Sequence, residues 1–527
     1  MGIVGIIIMI FQFIFRLFGL IIKLCISLHH KGMLVPTLIV SVAGWVAYTL
    51  WHKEDSNIGF KAIAIFIVAV AFVANVYFAI RQKKKEDPAF TPDWIGRKRR
   101  ELKADTPIQK YKLHGVVFGK RGRKWIIKPE NTDGHIIVVG GVGSGKSSCI
   151  AIPTLRAWSD SVFAIDIKGE LYDKTKNHRS NIKIFNPLDN NSFGYDPFFC
   201  LRLSENPSQE ARAIAQAIIP LPHEVKDPFW IESAQNIFTS AIIEGNSQGL
   251  SFLDTIKNIL SVPPKEFIQT LLQSSEVEAR YCVNSLADME DRVISSIMAE
   301  ISKNTVQFIT DKNLISALSR KKNITPDDLE YGYDVYINIP EHLLRQWKNL
   351  LTLIVNQFLT YFEQRPEMNA QPILFLLDEF PRLGKVSAIL DGLATLRSKK
   401  ICICLIIQSL AQLDTIYGQN ERKVISDTCA YKAVLGATDA ETQEYFSRLA
   451  GTYDKTMVSH GKSFSFLNTS TSTNTHKIEK RIIPPAEFGM LNDIVLFSPF
   501  STPLEEAEGE RVPFCRVEKK PYYKGLN

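Results

Sequence analysis

His135-Ile136-Ile137-Val138-Val139-Gly140-Gly141-Val142-Gly143-Ser144-Gly145-Lys146-Ser147-Ser148 is the stretch on which the reading of the chain turns. Its first five residues, rich in β-branched side chains, predict a short buried strand, and Ser148 to Trp158 predicts a helix interrupted by Pro153. Between strand and helix, the glycines let consecutive backbone N–H groups turn inward around phosphate oxygens. The helix adds the positive end of its dipole. Gly140, Gly141, Val142, Gly143, Ser144, Gly145, Lys146, Ser147 and Ser148 therefore read as a nucleotide-binding loop. Lys146 is placed for the β and γ phosphates of ATP, and the Ser147 hydroxyl for the Mg2+ that bridges them. An accidental glycine-rich turn would have no reason to carry both flanks.

A second landmark lies far downstream. Pro372 to Leu377 is an uninterrupted apolar run that ends in Asp378-Glu379. A strand ending in two carboxylates is what phosphoryl transfer needs beside a phosphate loop: Asp378 to hold the metal ion, Glu379 to orient or activate the attacking water. Ile401 to Ile407 is another buried strand, and Gln408 at its carboxyl end is positioned to sense the γ-phosphate. Cys402 and Cys404 alternate within that run, which places them on one packed face. Arg397, just ahead of it, reads either as a solvated surface arginine or as an arginine finger reaching a neighbouring subunit's nucleotide.

Outward from these landmarks the pattern is α/β, broken once. Ser161 to Asp166 and Ile182 to Phe185 read as strands, and the charges of Asp166-Ile167-Lys168-Gly169-Glu170 fall at the nucleotide side or at a subunit boundary. From about Ser208 to Ser319 strand patterns vanish and helical apolar spacing takes over. The α/β pattern resumes at Tyr333 to Pro340. The expected division is a nucleotide-binding domain in two parts, residues 113–205 and 326–527, around an inserted all-α domain, residues 206–325. Gly115 to Phe118 and Trp125 to Lys128 form a predicted hairpin, Ile494 to Phe497 a late strand, and Ser463 to Thr475 a mobile loop.

The front of the chain has a different chemistry. Met33 to Trp51 and Phe60 to Ile80 are each apolar enough and long enough to cross a bilayer, with basic residues on their outer flanks. The positive-inside rule gives a transmembrane hairpin, residues 33–80, with both ends in the cytoplasm. Residues 1–32 are expected at the membrane surface, since Gln12, Arg16 and Lys23 share one helical face; a third span is the alternative. Residues 81–112 form a basic connector suited to anionic lipid headgroups rather than to nucleic acid.

Charge supports that division. Residues 1–80 carry five basic and two acidic side chains and residues 81–128 carry sixteen and five, which leaves −7 for residues 129–527 of a chain whose formal charge is +7. The basic excess belongs to the membrane end, so the overall charge is no argument for a DNA-coating body. The eight cysteines form no metal-ligand pattern and read as reduced thiols.

Taken together, the phosphate loop, Asp166 to Glu170, Asp227-Pro228-Phe229-Trp230, Asp378-Glu379-Phe380 with Leu383-Gly384, Arg397, Gln408-Ser409 with Gln412, Tyr417-Gly418, and Pro484 to Glu487 resemble, in order, the type IV coupling proteins. These are the membrane-anchored ATPases of conjugation and type IV secretion. The resemblance implies a RecA-like motor domain, a homo-hexameric ring, and a bacterial inner-membrane location with the ATPase body in the cytoplasm. It also implies delivery of a relaxase-bound single DNA strand or of effector proteins, directly or through adaptors, to the components of a type IV secretion channel. Arg397 matches an arginine that acts across the subunit boundary in that family. Two rival readings remain at this level: a docking platform that uses nucleotide only as a switch, and a ring translocase acting on duplex DNA. The absence of a base-reading domain argues against the latter.

Overall fold

The computed structural model describes residues 114–122, 124–222, 225–367, 370–465, 468–503 and 511–523, all of them within a unit that spans Phe90–Asn527. The predicted surface segment, transmembrane hairpin and basic connector lie outside the described residues. No helix among the described residues is long and apolar enough to cross a membrane.

The strands are, in chain order, β1 (Gly115–Arg121), β2 (Lys124–Pro129), β3 (Ile136–Gly140), β4 (Val162–Asp166), β5 (Ile182–Phe185), β6 (Gly194–Tyr195), β7 (Asn323–Ile324) and β8 (Asp334–Asn338). They continue with β9 (Ile373–Leu377), β10 (Ile401–Ile407), β11 (Tyr431–Gly436), β12 (Thr452–Ser465), β13 (Asn468–Arg481), β14 (Asp493–Pro503) and β15 (Arg511–Glu518). Eleven of them form one sheet in the order β2-β1-β15-β14-β11-β3-β10-β9-β4-β8-β5. From β11 to β5 all seven strands run parallel, while β14, β15, β1 and β2 continue the sheet antiparallel beyond β11. The strand of the opening stretch, β3, thus lies in the interior. Its neighbours β10 and β11 both come from far downstream, which makes its carboxyl end a topological switch point, where open α/β sheets bind ligands.

The parallel strands read as continuous apolar runs because both faces are covered. Ile137, Val139, Phe163, Ile165, Phe375, Leu377, Ile403 and Leu405 pack on one face with residues of the long helix Lys348–Glu363 and of the helical insertion. Ile136, Val138, Ala164, Leu374, Leu376, Cys402 and Cys404 pack on the other with Ile150, Ile152 and Leu155 of the helix that follows the phosphate loop. The alternation of Cys402 and Cys404 inside β10 accordingly places both thiols in that second apolar layer.

Between β6 and β7 every regular element among the described residues is helical, from Phe199–Leu203 to Lys312–Leu318. β6 and β7 pair with each other, so the insertion leaves and rejoins the body at adjacent points. Its apolar interior is continuous with one face of the sheet, and Asn349 Nδ2 on the long helix donates to the Ile218 carbonyl at 2.9 Å.

Two expectations need correction. Pro153 does not interrupt the helix. The chain leaves the loop through a π-helical turn, Lys146–Ala151, and continues as Ile152–Ala157. In i→i+5 spacing the N–H that Pro153 lacks would have served the Ser148 carbonyl, which instead accepts from Tyr522 N–H at 2.9 Å. Nor is Ser463 to Thr475 a loop: its described residues pair within the two-stranded β12–β13 ribbon, in register from Thr452↔Arg481 to Ser465↔Asn468. Thr and β-branched residues suit extended backbone even where composition suggests mobility.

Candidate nucleotide-binding site

The loop between β3 and its helix is held open by its own backbone. Gly143 and Gly145 have φ of +74° and +98°, in the left-handed region where a side chain would be strained. A Cβ at Gly140 would stand 2.3 Å from Ser144 Oγ, and one at Gly141 2.9 Å from the Thr438 methyl. The loop is therefore a cradle that larger residues would fill. Gly141 N–H donates to the Gly436 carbonyl at 3.2 Å, which ties the cradle to the end of β11. Val142 at its tip is 88% exposed.

Lys146 and Ser144 supply polar side chains to the cradle. Lys146 Nζ donates to the Gly140 and Gly141 carbonyls at 2.7 and 3.2 Å, folding the ammonium back over the loop. Burial lowers its pKa, against the opposing pull of Glu379 and Asp378. Ser144 Oγ is buried without a hydrogen-bond partner. A polyphosphate would supply acceptors for both and compensate the desolvated cation.

Asp378 and Glu379 follow β9, which is separated from β3 only by β10. Both are buried. Burial, and then the charge of Glu379, raise the pKa of Asp378 to about 6. A bound cation would hold such a buried carboxylate ionised. Glu379 has φ +50°, uncommon for a residue with a side chain and a strain that tends to persist at functional positions. Its N–H donates to Asp378 Oδ1 at 3.1 Å, and Gln408 Nε2 donates to Glu379 Oε2 at 2.9 Å. Lys146, Asp378, Glu379 and Gln408 are thus brought together at the carboxyl edge of three adjacent strands. The donor set fits a magnesium–nucleoside triphosphate: Ser147 and Asp378 would hold the ion, and the loop amides and Lys146 the phosphates.

Arg397 is elsewhere. It is exposed, between the helix Ala388–Thr395 and the amino end of β10. Strand β10 has seven residues, roughly 20 Å of extended chain, so Arg397 stands at the opposite edge of the sheet from the loop. Its charge is felt instead by His135, buried at the start of β3, whose pKa is lowered to about 3, first by burial and then by Lys128. His135 Nδ1 accepts from Ile403 N–H at 3.0 Å, fastening β3 to β10.

Asp166 has a local role. It is buried, and its Oδ2 accepts from Tyr172 N–H at 2.8 Å, holding the first turn of the short helix Glu170–Thr175. Glu341, after β8, pairs with Arg382 at 2.5 Å. The sequence reading missed Gly436 and Thr438 at the end of β11, and the segment from Lys519 to Tyr523 that reaches the loop helix. No local pattern marks them; only the order of strands brings them to the loop.

An open α/β sheet with a phosphate cradle at its switch point, and two carboxylates and an amide beside it, defines the class of P-loop nucleotide-binding proteins. Within that class, the model of the family described as type IV secretory system conjugative DNA transfer matches residues 95–498. The chain belongs to this family of type IV coupling proteins. It is 24% identical over 431 residues to Protein VirD4 of Rhizobium radiobacter, covering 77% of this chain and 62% of that one. It is 22% identical to Conjugal transfer protein TraG of Escherichia coli, covering 67% and 61%. The chain thus spans a little over three-fifths of the length of these relatives. Among solved structures, plasmid coupling protein TrwB in complex with a non-hydrolysable ATP analogue superposes with a TM-score of 0.59 at 17% identity, covering 82% of this chain and 92% of that one. The same protein in complex with ADP and Mg2+ gives 0.58 at 17% identity and the same coverage.

Proposed function

We propose that the chain is the ATP-driven coupling component of a type IV apparatus, bringing DNA, protein or both to the secretion channel as a membrane-anchored homo-hexamer. The single observation that carries this is the Gln408–Glu379 hydrogen bond beside Asp378 and Lys146. It links Gln408, read as the γ-phosphate sensor, to Glu379, read as the base that would activate water. Family membership supports the conjugative role, and the nucleotide complexes of TrwB support ATP and magnesium as the cofactors. Residues 206–325, or adaptors docking there, take the part of substrate selection.

In this reading Lys146 exchanges its loop carbonyls for phosphate oxygens, and Ser147 and Asp378 hold Mg2+. The ion supplies charge neutralisation along the phosphates. A terminal phosphate competes for the Gln408 amide, which frees Glu379 to accept a proton from the attacking water. Arg397, about 20 Å from its own loop, completes a neighbour's site, so hydrolysis is coupled to ring geometry. Hydrolysis with Glu379→Gln should fall about 10²-fold or more while nucleotide still binds. A motor then loses transfer; transfer at the native level would show that nucleotide serves only as a docking switch.

A further inference from the structure

Glu379 holds a left-handed backbone, φ +50°, and such a residue persists only where its surroundings over-determine it. Gln408 fixes its side chain. What fixes its backbone lies in two stretches that hydrolysis has left unused, Phe380 with Leu383-Gly384, and Tyr417-Gly418. Phe380–Leu383 is a single 3-10 turn that starts directly after Glu379, closed by Arg382 N–H donating to the Glu379 carbonyl at 2.8 Å. Phe380 anchors this turn. It is fully buried, and its ring stacks on that of Tyr417 with centroids 5.9 Å apart and planes 16° apart. Tyr417 is equally buried. Its Oη accepts from Val386 N–H at 3.1 Å and donates to the Gly384 carbonyl at 3.5 Å. One side chain thus holds the start of the turn by its ring and the chain beyond the turn by its hydroxyl.

Tyr417 also belongs to the other half of the Glu379–Gln408 pair. It lies on the helix Leu410–Thr428, which begins just after Gln408, and that helix is kinked at Gly418, where φ is +74° and ψ 166°. The stretch from Gln408 to Tyr417 is therefore a short unit, set off from the rest of the helix by a backbone that glycine adopts without strain. We propose that Tyr417 is the positioning residue for Glu379. It clamps the turn behind the base and ties that turn to the helix of the sensor, so that Glu379 stands at a fixed place relative to Gln408. The inference rests on the reading of Glu379 as the water-activating base. Acting through Glu379, Tyr417 governs rate rather than binding: a base displaced by a fraction of an ångström takes the proton of the attacking water poorly, while the phosphate cradle is unchanged.

A double-mutant cycle separates positioning from packing. Steady-state ATP hydrolysis is measured on the purified full-length chain for the native protein, Tyr417→Leu, Tyr417→Phe, Glu379→Gln, and both Tyr417 substitutions in the Glu379→Gln background, with Mg–ADP affinity followed by calorimetry. Tyr417→Leu should lower kcat about 10- to 10²-fold, and Tyr417→Phe, which keeps the ring and loses the hydroxyl, about threefold, with KM and ADP affinity unchanged. With Glu379→Gln no base remains to be misplaced, so the same substitutions should change the residual kcat by less than about twofold. Equal fractional losses in both backgrounds would make Tyr417 a packing residue and overturn the proposal. So would a loss that appears in KM and ADP affinity, or native kcat in Tyr417→Leu. Should Tyr417→Leu fail to fold, Tyr417→Phe in the two backgrounds carries the same comparison. Hydrolysis at the native rate in Glu379→Gln would instead overturn the reading of Glu379 as the base.

Discussion

The two edges of the parallel strands are built to opposite specifications. At the carboxyl edge Asp378, Glu379 and Gln408 are linked by hydrogen bonds, Lys146 is turned onto its own loop carbonyls, and Asp378 is raised toward neutrality. At the amino edge stand a buried, neutral His135 and an exposed Arg397. In the function proposed above, the first edge holds Glu379 as the water-activating base, and the second holds an exposed arginine that acts away from its own loop. In that reading one chain holds two incomplete halves, and bringing another chain's amino edge to a carboxyl edge completes both.

Arg397→Ala should give the largest effect. An arginine acting across a boundary contributes on the order of 10³-fold or more to hydrolysis. Mg–ADP affinity measured by calorimetry should nevertheless stay at the native value, because the residue is far from its own loop. Lys146→Ala should break the same comparison from the other edge. Hydrolysis falls about 10²- to 10³-fold, nucleotide affinity falls with it, and transfer stops while membrane insertion is retained.

Stability and pH sharpen the contrast because the two edges titrate with opposite sign. Asp378 has its folded pKa raised to about 6. It therefore binds a proton more readily folded than unfolded, and its contribution is lost as pH rises through 6. Asp378→Asn should stabilise the nucleotide-free protein at pH 7 by about 2–3 kcal/mol in chemical denaturation while removing magnesium-dependent nucleotide binding. His135 is the reverse case, with its folded pKa lowered to about 3. Its contribution is full above the ordinary histidine range and is lost as pH falls from there. At pH 5 that loss is about 2 kcal/mol, and His135→Gln should flatten the stability profile between pH 6.5 and 5.

The carboxyl edge was largely legible in the sequence, because each part announces itself locally. A glycine-rich loop flanked by strand and helix needs no distant information, nor does an apolar run ending in Asp378-Glu379. The all-helical stretch was legible for the same reason, since the hydrophobic period changes within it. The other flank of the loop was not. Gly436, Thr438 and Tyr522 reach the loop only because β11 lies beside β3 with β14 and β15 beyond it, and strand order is set by tertiary packing rather than by any local period. The π-helical turn escaped for a related reason: Pro153 removes a donor, and only Tyr522, which comes from beyond β15 to the Ser148 carbonyl, shows why the helix can continue. The β12–β13 ribbon shows composition misleading in the other direction, with Ser, Thr and Asn forming a regular ladder.

The claim that an active site is assembled from the carboxyl edge of one chain and the amino edge of the next is tested most directly by mixing two inactive proteins. Arg397→Ala keeps an intact loop; Lys146→Ala keeps an intact arginine. Full-length forms of each are purified, combined at equal concentration under conditions that exchange subunits, and assayed for ATP hydrolysis. The account predicts that the mixture recovers a substantial part of native activity, since Lys146→Ala subunits lend Arg397 to neighbours whose loops are whole. A mixture no more active than the sum of its two components, with subunit exchange demonstrated, would contradict it.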